Sequence, residues 1–330
     1  MCRRGWCGAD RYAGVRPATM RRGAMQRDTM SNSARAQEWV TRRERGSLSA
    51  IRLGVWIARR LGRPLARLLL YPVCLYFCIS SPSAARASRI YLGRVLGRAP
   101  RLTDRLTHFL TFARCLLDRV FLLGDQSDAF EITVHGEEIL QEIERNGGGC
   151  ILIGAHFGSF EVARAVGRQR RCDLPISLLM YEENAQKIRA ALAAINPNLA
   201  TEVIGLGRRE SMLAVAERLQ RGHFIGVLAD RNVDGRDMVR YEFLGAPAAF
   251  PQGPFRVAML LQCPAVMMVG IYRGGRRYEV HFETLAPAAT ARPVDSAVWL
   301  DDVMTRYVTR LAHYCREAPF NWFNFYDFWG

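Results

Sequence analysis

The sequence predicts an α/β fold in which a central, mostly parallel sheet is flanked by helices, with an N-terminal helical segment that associates with a membrane. The first observation is that short apolar runs of strand character alternate with helical segments after residue 130, as in parallel sheets. The second is a pair of amphipathic helical segments just before them. The third is an apolar run with a basic collar near residue 65. Because no internal repeat or linker interrupts the later part, residues 84–330 are expected to form one domain.

Residues 1–47 are predicted to be a disordered basic segment, because they are rich in Arg, Gly, Ser and Met and lack apolar periodicity. Of the formal net charge of +15, +11 lies in residues 1–63 and only +4 in the rest. This distribution argues against a nucleic-acid-binding body. Later methionines offer alternative starts, and we predict that residues 1–29 are a mis-assigned extension.

Residues 48–83 are predicted to form a membrane-associating helical segment. The stretch Leu65 to Ile79 is apolar except for Arg67, but its fifteen residues span roughly 22 Å, less than the ~30 Å hydrocarbon core. A short or interfacial anchor is therefore favoured, with a buried core helix as the alternative. If the segment inserts, the side that carries the preceding arginines should stay cytoplasmic; these are Arg59, Arg60, Arg63 and Arg67.

The remaining elements follow from the spacing of apolar residues. Helices are predicted at 86–97, 102–123, 136–145, 159–168, 185–194, 210–221, 253–261 and 297–316. Strands are predicted at 131–134, 150–154, 176–180, 202–204, 224–228, 265–271 and 278–282. The glycines and prolines between 245 and 253 indicate a loop before the helix at 253. Seven of the ten residues at 320–329 are aromatic, and core packing of this stretch is slightly favoured over membrane contact.

The segment CILIGAHFGSFE, residues 150–161, carries the most chemical information. A buried strand runs into two small residues, and His156 then emerges at the strand's C-terminal end, where ligands gather in open α/β sheets. Glu161 lies five residues later, which on one continuous helix would place the two side chains on different faces. If His156 lies in the turn and Glu161 in the first helical turn, Glu161 can orient the imidazole. His156 would then be a general base, although a purely structural pair is an equal alternative at this point.

Three further residues are candidates for substrate binding. Arg209 opens a predicted helix and could bind a phosphate or an oxyanion, with a solvated surface arginine as the alternative. Asp230 and Arg231 end the predicted strand 224–228, at the same functional edge of the sheet. They could pair with each other or with the substrate.

The segment around His156 and Glu161 resembles the His, four residues, acid motif of the lysophospholipid acyltransferase superfamily, and specifically its lipid A biosynthesis late-acyltransferase branch. The resemblance continues in GHFIGVLADR at 222–231 and in YEFLGAPAAFPQG at 241–253, and covers roughly residues 48 to 330. Two positions depart from the pattern. Arg231 stands where many relatives have Gln, and the apolar run at 65–79 is shorter than their membrane helix. The aromatic C-terminal stretch is closer to relatives found beside pigment and polyene biosynthetic enzymes.

The resemblance implies an acyltransferase that moves a fatty acyl chain from a thioester to a hydroxyl of a lipid A-like, glycolipid or related lipid acceptor, with His156 and Glu161 as the catalytic dyad. It implies acyl-acyl carrier protein as the favoured donor, an acyl-coenzyme A thioester as the other, and no metal or nucleotide cofactor. The nine scattered cysteines are typical of reduced, cytoplasm-facing thiols. Together with this, the resemblance implies a location at the cytoplasmic face of the inner membrane. The alternatives are a lipid hydrolase that uses Ser159, which lacks the Gly-x-Ser-x-Gly elbow, and a non-catalytic lipid-binding relative.

Overall fold

The structure, a computed structural model, describes residues 48–124, 126–169, 175–181, 190, 192–193, 203–206, 209–231, 237–288 and 293–329. All of these residues belong to one compact unit. The predictions for residues 1–47, and for most of the helix at 185–194, fall outside the described residues.

Among the described residues, three α-helices precede the sheet: α1 (Leu48–Ser80), α2 (Pro82–Leu96) and α3 (Leu102–Leu122). Helix α1 bends at Gly62, whose φ of 72° and ψ of 168° are not helical. Beyond the bend, the small residues Ala66 and Cys74 are buried, and Cys74 packs with Phe109 of α3. Small side chains on this face allow the two helices to approach closely.

The opposite face of α1 is apolar and exposed. Leu68 and Tyr76 are each 64% exposed, and Ile79 is 75% exposed. Within the part of the chain that the structure describes, the stretch Gly54–Ser80 is long and apolar enough to cross a membrane, and only 17% of its apolar window is buried in the protein. A buried core helix would show the opposite distribution.

A seven-stranded sheet forms the centre of the molecule, in the order β1-β9-β8-β2-β5-β3-β4. All neighbouring strands are parallel except β8 and β9, which are antiparallel. The mostly parallel α/β fold predicted from the sequence is therefore confirmed. Its strands are β1 (Glu131–His135), β2 (Cys150–Gly154), β3 (Ile176–Tyr181), β4 (Val203–Leu206), β5 (Phe224–Leu228), β8 (Ala265–Tyr272) and β9 (Arg277–Ala286).

Alternate residues of the central strands belong to two different apolar clusters, one on each face of the sheet. Both faces are therefore covered by helices. In β2, Ile151 and Ile153 belong to one cluster, whereas Cys150 and Leu152 belong to the other. A strand covered on both faces has a continuous apolar sequence, as β2 has. The helices that follow β1 are α4 (Glu137–Arg145), α5 (Glu161–Gln169), α6 (Arg209–Gln220), α7 (Gly253–Leu261) and α8 (Ser296–Glu317).

The prediction of a loop around residues 245–253 is wrong, because residues 238–251 form an antiparallel hairpin of β6 (Met238–Phe243) and β7 (Ala246–Pro251). Its turn residues, Leu244 and Gly245, both have positive φ, at 52° and 81°. Such a two-residue turn matches the twist of paired strands. Prolines are tolerated in β7 because a two-stranded ribbon leaves one edge of each strand unpaired.

Candidate active site

The candidate site lies at the carboxyl ends of β2 and β5. These strands are parallel neighbours, and Gly154 at the end of β2 is paired with Leu228 at the end of β5. The amide of Ala229 also donates to the Gly154 carbonyl, at 2.9 Å, so the register continues beyond the strands. His156 and Asp230 each follow two residues after the paired ends, and therefore emerge at the same level.

His156 is hydrogen-bonded to Asp230, with 2.8 Å between Nδ1 and Oδ1. The Asp230 side chain is completely buried, whereas 36% of the His156 side chain is exposed. A carboxylate can only accept, so Nδ1 carries the proton and Nε2 of the neutral ring has a free lone pair. This arrangement is an orienting carboxylate with a partly accessible base.

In the structure the carboxylate that contacts the His156 imidazole is that of Asp230, and Glu161, for which this contact was expected, has other partners. Glu161 is the first residue of α5, and its Oε1 lies 2.8 Å from Nε of Arg119. Its Oε2 accepts a hydrogen bond from the Ser159 hydroxyl at 3.0 Å. The helix start therefore directs Glu161 toward α3, while the parallel register brings Asp230 to the imidazole.

The electrostatics of the pair favour a neutral base beside a charged carboxylate. Burial lowers the pKa of His156 below its ordinary value, and the nearby Arg231 lowers it further, against the opposite effect of Asp230. Burial alone would raise the pKa of Asp230, but His156 and Arg231 outweigh this and hold it well below its ordinary value. At neutral pH His156 is therefore unprotonated and Asp230 is ionised.

The turn that carries His156 is fixed by backbone contacts on two sides. Gly158 has a φ of 55°, and a Cβ built on it would lie 1.7 Å from the Gly270 carbonyl oxygen. The next amide, that of Ser159, donates to this same carbonyl at 2.9 Å. On the other side, the Gly158 amide donates to the Asn321 carbonyl at 2.7 Å. Only glycine fits this close approach, so His156 leaves the strand in one direction.

The aromatic stretch 320–329, called here the closing segment, packs into the core beside the site. Trp322 is fully buried, and its indole Nε1 donates to Oδ2 of Asp230 at 3.0 Å. The amide of Phe323 donates to the His156 carbonyl at 2.7 Å. The closing segment therefore contacts both members of the His156 and Asp230 pair.

Arg231 lies against the same segment. Its guanidinium donates to the Phe323 carbonyl at 3.0 Å, stacks over the Tyr326 ring at 5.0 Å and lies 3.6 Å from Asp230. It is 17% exposed, so it is a largely buried cation beside the base. Arg209 begins α6, but its side chain lies outside the described part of the structure, and its role stays a prediction.

Among the described residues, His135, Glu279 and His281 form one group whose ligand atoms lie within 4.8 Å of one another. The two imidazole rings stack at 4.4 Å, and Oε2 of Glu279 is 2.7 Å from the Arg273 guanidinium. Because the carboxylate already has a cationic partner, the arrangement is accounted for without an ion.

Sequence reasoning missed two contacts of the site. The pairing of Asp230 with His156 had a partial signal, because each residue follows a predicted strand by two positions, but the sequence did not show that these two strands are neighbours. Trp322 had none, since it lies 92 positions from Asp230 and no periodicity relates the two.

A family model described as bacterial lipid A biosynthesis acyltransferase matches residues 53–329, which include every described element of the site. The search of curated proteins finds no match for this chain.

Proposed function

The chain belongs to the bacterial lipid A biosynthesis acyltransferase family, and on this basis we propose that it moves a fatty acyl chain from a thioester to a hydroxyl of a lipid A-like, glycolipid or related lipid acceptor. Acyl-acyl carrier protein is the favoured donor, and an acyl-coenzyme A thioester is the other. The observation that carries the proposal is the base at the sheet edge. His156 combines a buried carboxylate on Nδ1 with a ring that is 36% exposed.

In the proposed reaction, Nε2 of His156 removes the proton of the acceptor hydroxyl as its oxygen attacks the thioester carbonyl carbon. Asp230 stabilises the imidazolium that forms, because the two groups are hydrogen-bonded and the carboxylate is completely buried. When the tetrahedral intermediate collapses, the carbon–sulfur bond breaks and the imidazolium proton passes to the thiolate. An ester and a free thiol are the products, and no covalent enzyme intermediate is formed.

Two cations lie near the base in this scheme. Arg119 and Arg231 both lower the pKa of His156 through their charge. We propose that Arg231 also stabilises the developing oxyanion, since a largely buried guanidinium is most effective in a dry site. Glu161 then has the separate task of holding Arg119 in place through their 2.8 Å ion pair.

The hydrolase alternative has less support. The Ser159 side chain is 2% exposed, and its hydroxyl is directed to Glu161. A nucleophilic serine instead needs its hydroxyl on the catalytic base and accessible to the ester. The non-catalytic alternative is disfavoured by the intact base and carboxylate, which such a relative would not need.

For localisation, we propose the cytoplasmic face of the inner membrane, with the exposed apolar face of α1 in contact with lipid. Arg63 and Arg67 tie this helix to the body through Asp118 and the Gly275 carbonyl. Arg63 precedes the apolar stretch 65–79 and Arg67 lies near its start, and cationic residues are retained on the cytoplasmic side.

The test is acyl transfer from labelled acyl-acyl carrier protein, with acyl-coenzyme A in parallel, into host membrane lipids. We compare the natural protein with His156→Ala, Ser159→Ala and the matched control His313→Ala, whose side chain is 52% exposed on α8. We expect labelled lipid from all but His156→Ala. Free fatty acid that disappears in Ser159→Ala would establish the hydrolase, and equal product from His156→Ala would remove His156 as the base.

A further inference from the structure

The two oxygens of the Asp230 carboxylate have different partners. Oδ1 faces Nδ1 of His156 at 2.8 Å, and Oδ2 accepts from the Trp322 indole at 3.0 Å. Both Asp230 and Trp322 are completely buried. The Arg231 guanidinium also lies 3.6 Å from Oδ2, and the His156 backbone also hydrogen-bonds this carboxylate, so the indole is the side-chain donor that meets Oδ2 at hydrogen-bond distance. Donors on both sides restrict rotation of the carboxylate about its Cβ–Cγ bond.

We propose that Trp322 is a positioning residue for the catalytic base: its indole N–H holds one oxygen of Asp230, so that the other stays aimed at His156. This inference rests on the proposed function, because it assigns a role in the same proton transfer. Trp322 acts through Asp230 and does not itself meet the substrate.

Trp322 is suited to this role because its own position is overdetermined. Its ring meets those of Tyr91, Phe243 and Phe328 edge to face, at centroid distances of 5.0, 5.3 and 4.9 Å. Its carbonyl accepts a hydrogen bond from Nε2 of His108 at 2.8 Å. A donor held by three rings and a backbone bond loses little entropy when it bonds the carboxylate.

The closing segment also holds the other partner. The Phe323 amide donates to the backbone carbonyl of His156, and Trp322 forms a strand-like bridge with Phe157. Adjacent residues of one segment therefore fix the backbone of the base and the carboxylate that orients it. The distance between Nδ1 and Oδ1 is set by a single rigid element.

The removal of the indole N–H has a predictable effect on titration. The charged groups that face His156 are Asp230, Arg231 and Arg119, and Asp230 is also near the neutral groups Tyr307, Cys315 and Tyr326. All of these remain when Trp322 is replaced. Asp230 then loses the donor that aims it at His156 and interacts less strongly with the imidazolium, so the pKa of His156 falls. The acid limb of the kcat/KM profile should move to lower pH.

The closing segment supplies a matched control. Trp329 also donates its indole N–H, to the Phe243 carbonyl at 3.1 Å, and that N–H does not reach His156 or Asp230. Its ring lies edge to face with that of Trp322 at 6.1 Å, and Trp329→Phe keeps an aromatic ring at this position. For Trp322→Phe we expect a fall in kcat of about tenfold, equivalent to about 1.4 kcal/mol, with KM changed by less than about twofold. For Trp329→Phe we expect kcat and the acid limb to match those of the natural protein.

The measurement is kcat, KM and the pH profile of acyl transfer by the full chain, normalised to folded protein by circular dichroism. A Trp322→Phe protein whose kcat and acid limb equal those of Trp329→Phe would overturn the proposal. If Trp322→Phe does not fold, benzothienylalanine at position 322 is the substitute, since it keeps the bicyclic shape and replaces the N–H by sulfur. Failure of the proposed function is distinguished by His156→Ala, which would then retain activity.

Discussion

Replacement of Asp230 by Asn tests the effect of the negative charge that is hydrogen-bonded to Nδ1 of His156. Asn has nearly the same shape but no negative charge, and its one side-chain oxygen can accept from Nδ1–H of His156 or from the Trp322 indole, not from both. Because Nδ1 and Oδ1 are 2.8 Å apart, the imidazolium and carboxylate charge centres lie about 5 Å apart, and at an effective dielectric constant of about 20 their attraction is about 3 kcal/mol. Its loss from the transition state corresponds to a fall in kcat of roughly 100-fold to 200-fold.

The pH profile should change in a defined direction. In the natural protein burial lowers the pKa of His156 and Asp230 partly restores it. Without that carboxylate the pKa falls further, so the acid limb of kcat/KM moves to lower pH, in the same direction as the shift expected for Trp322→Phe and by a larger amount. Initial rates of acyl transfer from labelled acyl-acyl carrier protein, measured across this pH range, provide both quantities.

The control is Glu161→Gln, which removes the carboxylate that the motif spacing pairs with His156. We expect it to act through Arg119 and to leave the acid limb closer to its natural position than Asp230→Asn does. If Asp230→Asn stays within about threefold of the natural kcat while Glu161→Gln loses most activity, the reasoning from the structure is refuted and Glu161 orients the base.

Three further predictions concern stability and membrane contact. Burial lowers the pKa of His108 from 6.5 to about 4, so the unfolded chain takes up this proton first and the free energy of unfolding should fall by about 3 kcal/mol as the pH drops through that window. His108→Gln should flatten this dependence in urea titrations, and an unchanged slope would contradict the assignment. Asp118→Ala should lower the free energy of unfolding by about 3–5 kcal/mol, because the Arg63 guanidinium, which lies 2.7 Å from Asp118, stays buried without this carboxylate. The double variant Asp118→Ala, Arg63→Met should recover much of this loss in thermal unfolding. Additive losses would argue against coupling of the two residues. Leu68→Glu combined with Tyr76→Glu places negative charges at two positions that are each 64% exposed. Each charge should cost about 3 kcal/mol in hydrocarbon, so the variant should no longer float with lipid vesicles. Full retention of the variant on vesicles would mean that another surface binds the membrane.

The sheet could be predicted because its central strands are buried on both faces. Strands such as β2 then have continuous apolar sequences bounded by glycine, a pattern that is readable without any partner. The hairpin 238–251 was missed for the opposite reason. Its strands contain two prolines and only part of their surface is buried, so turn chemistry dominates the local pattern.

The sequence pointed to His156 as a candidate base, whereas its hydrogen bond with Asp230 could not be predicted from it. Spacing along the chain connects His156 to Glu161, because both belong to one strand, turn and helix. The contact with Asp230 depends on which strand lies beside β2 and in which register, and neither is encoded in the spacing of a single segment. For the same reason Arg119 and Trp322, which come from α3 and the closing segment, could not be placed.

Under the proposed role of Trp322, the His156 and Asp230 pair is completed late in synthesis. Helix α1 is synthesised about 240 residues before Trp322, a delay of roughly 12–50 s at roughly 5–20 residues per second. During this interval the nascent chain already presents its apolar helix but lacks the indole that completes the Asp230 environment. The polypeptide can thus reach a lipid surface before its proton-transfer pair is assembled.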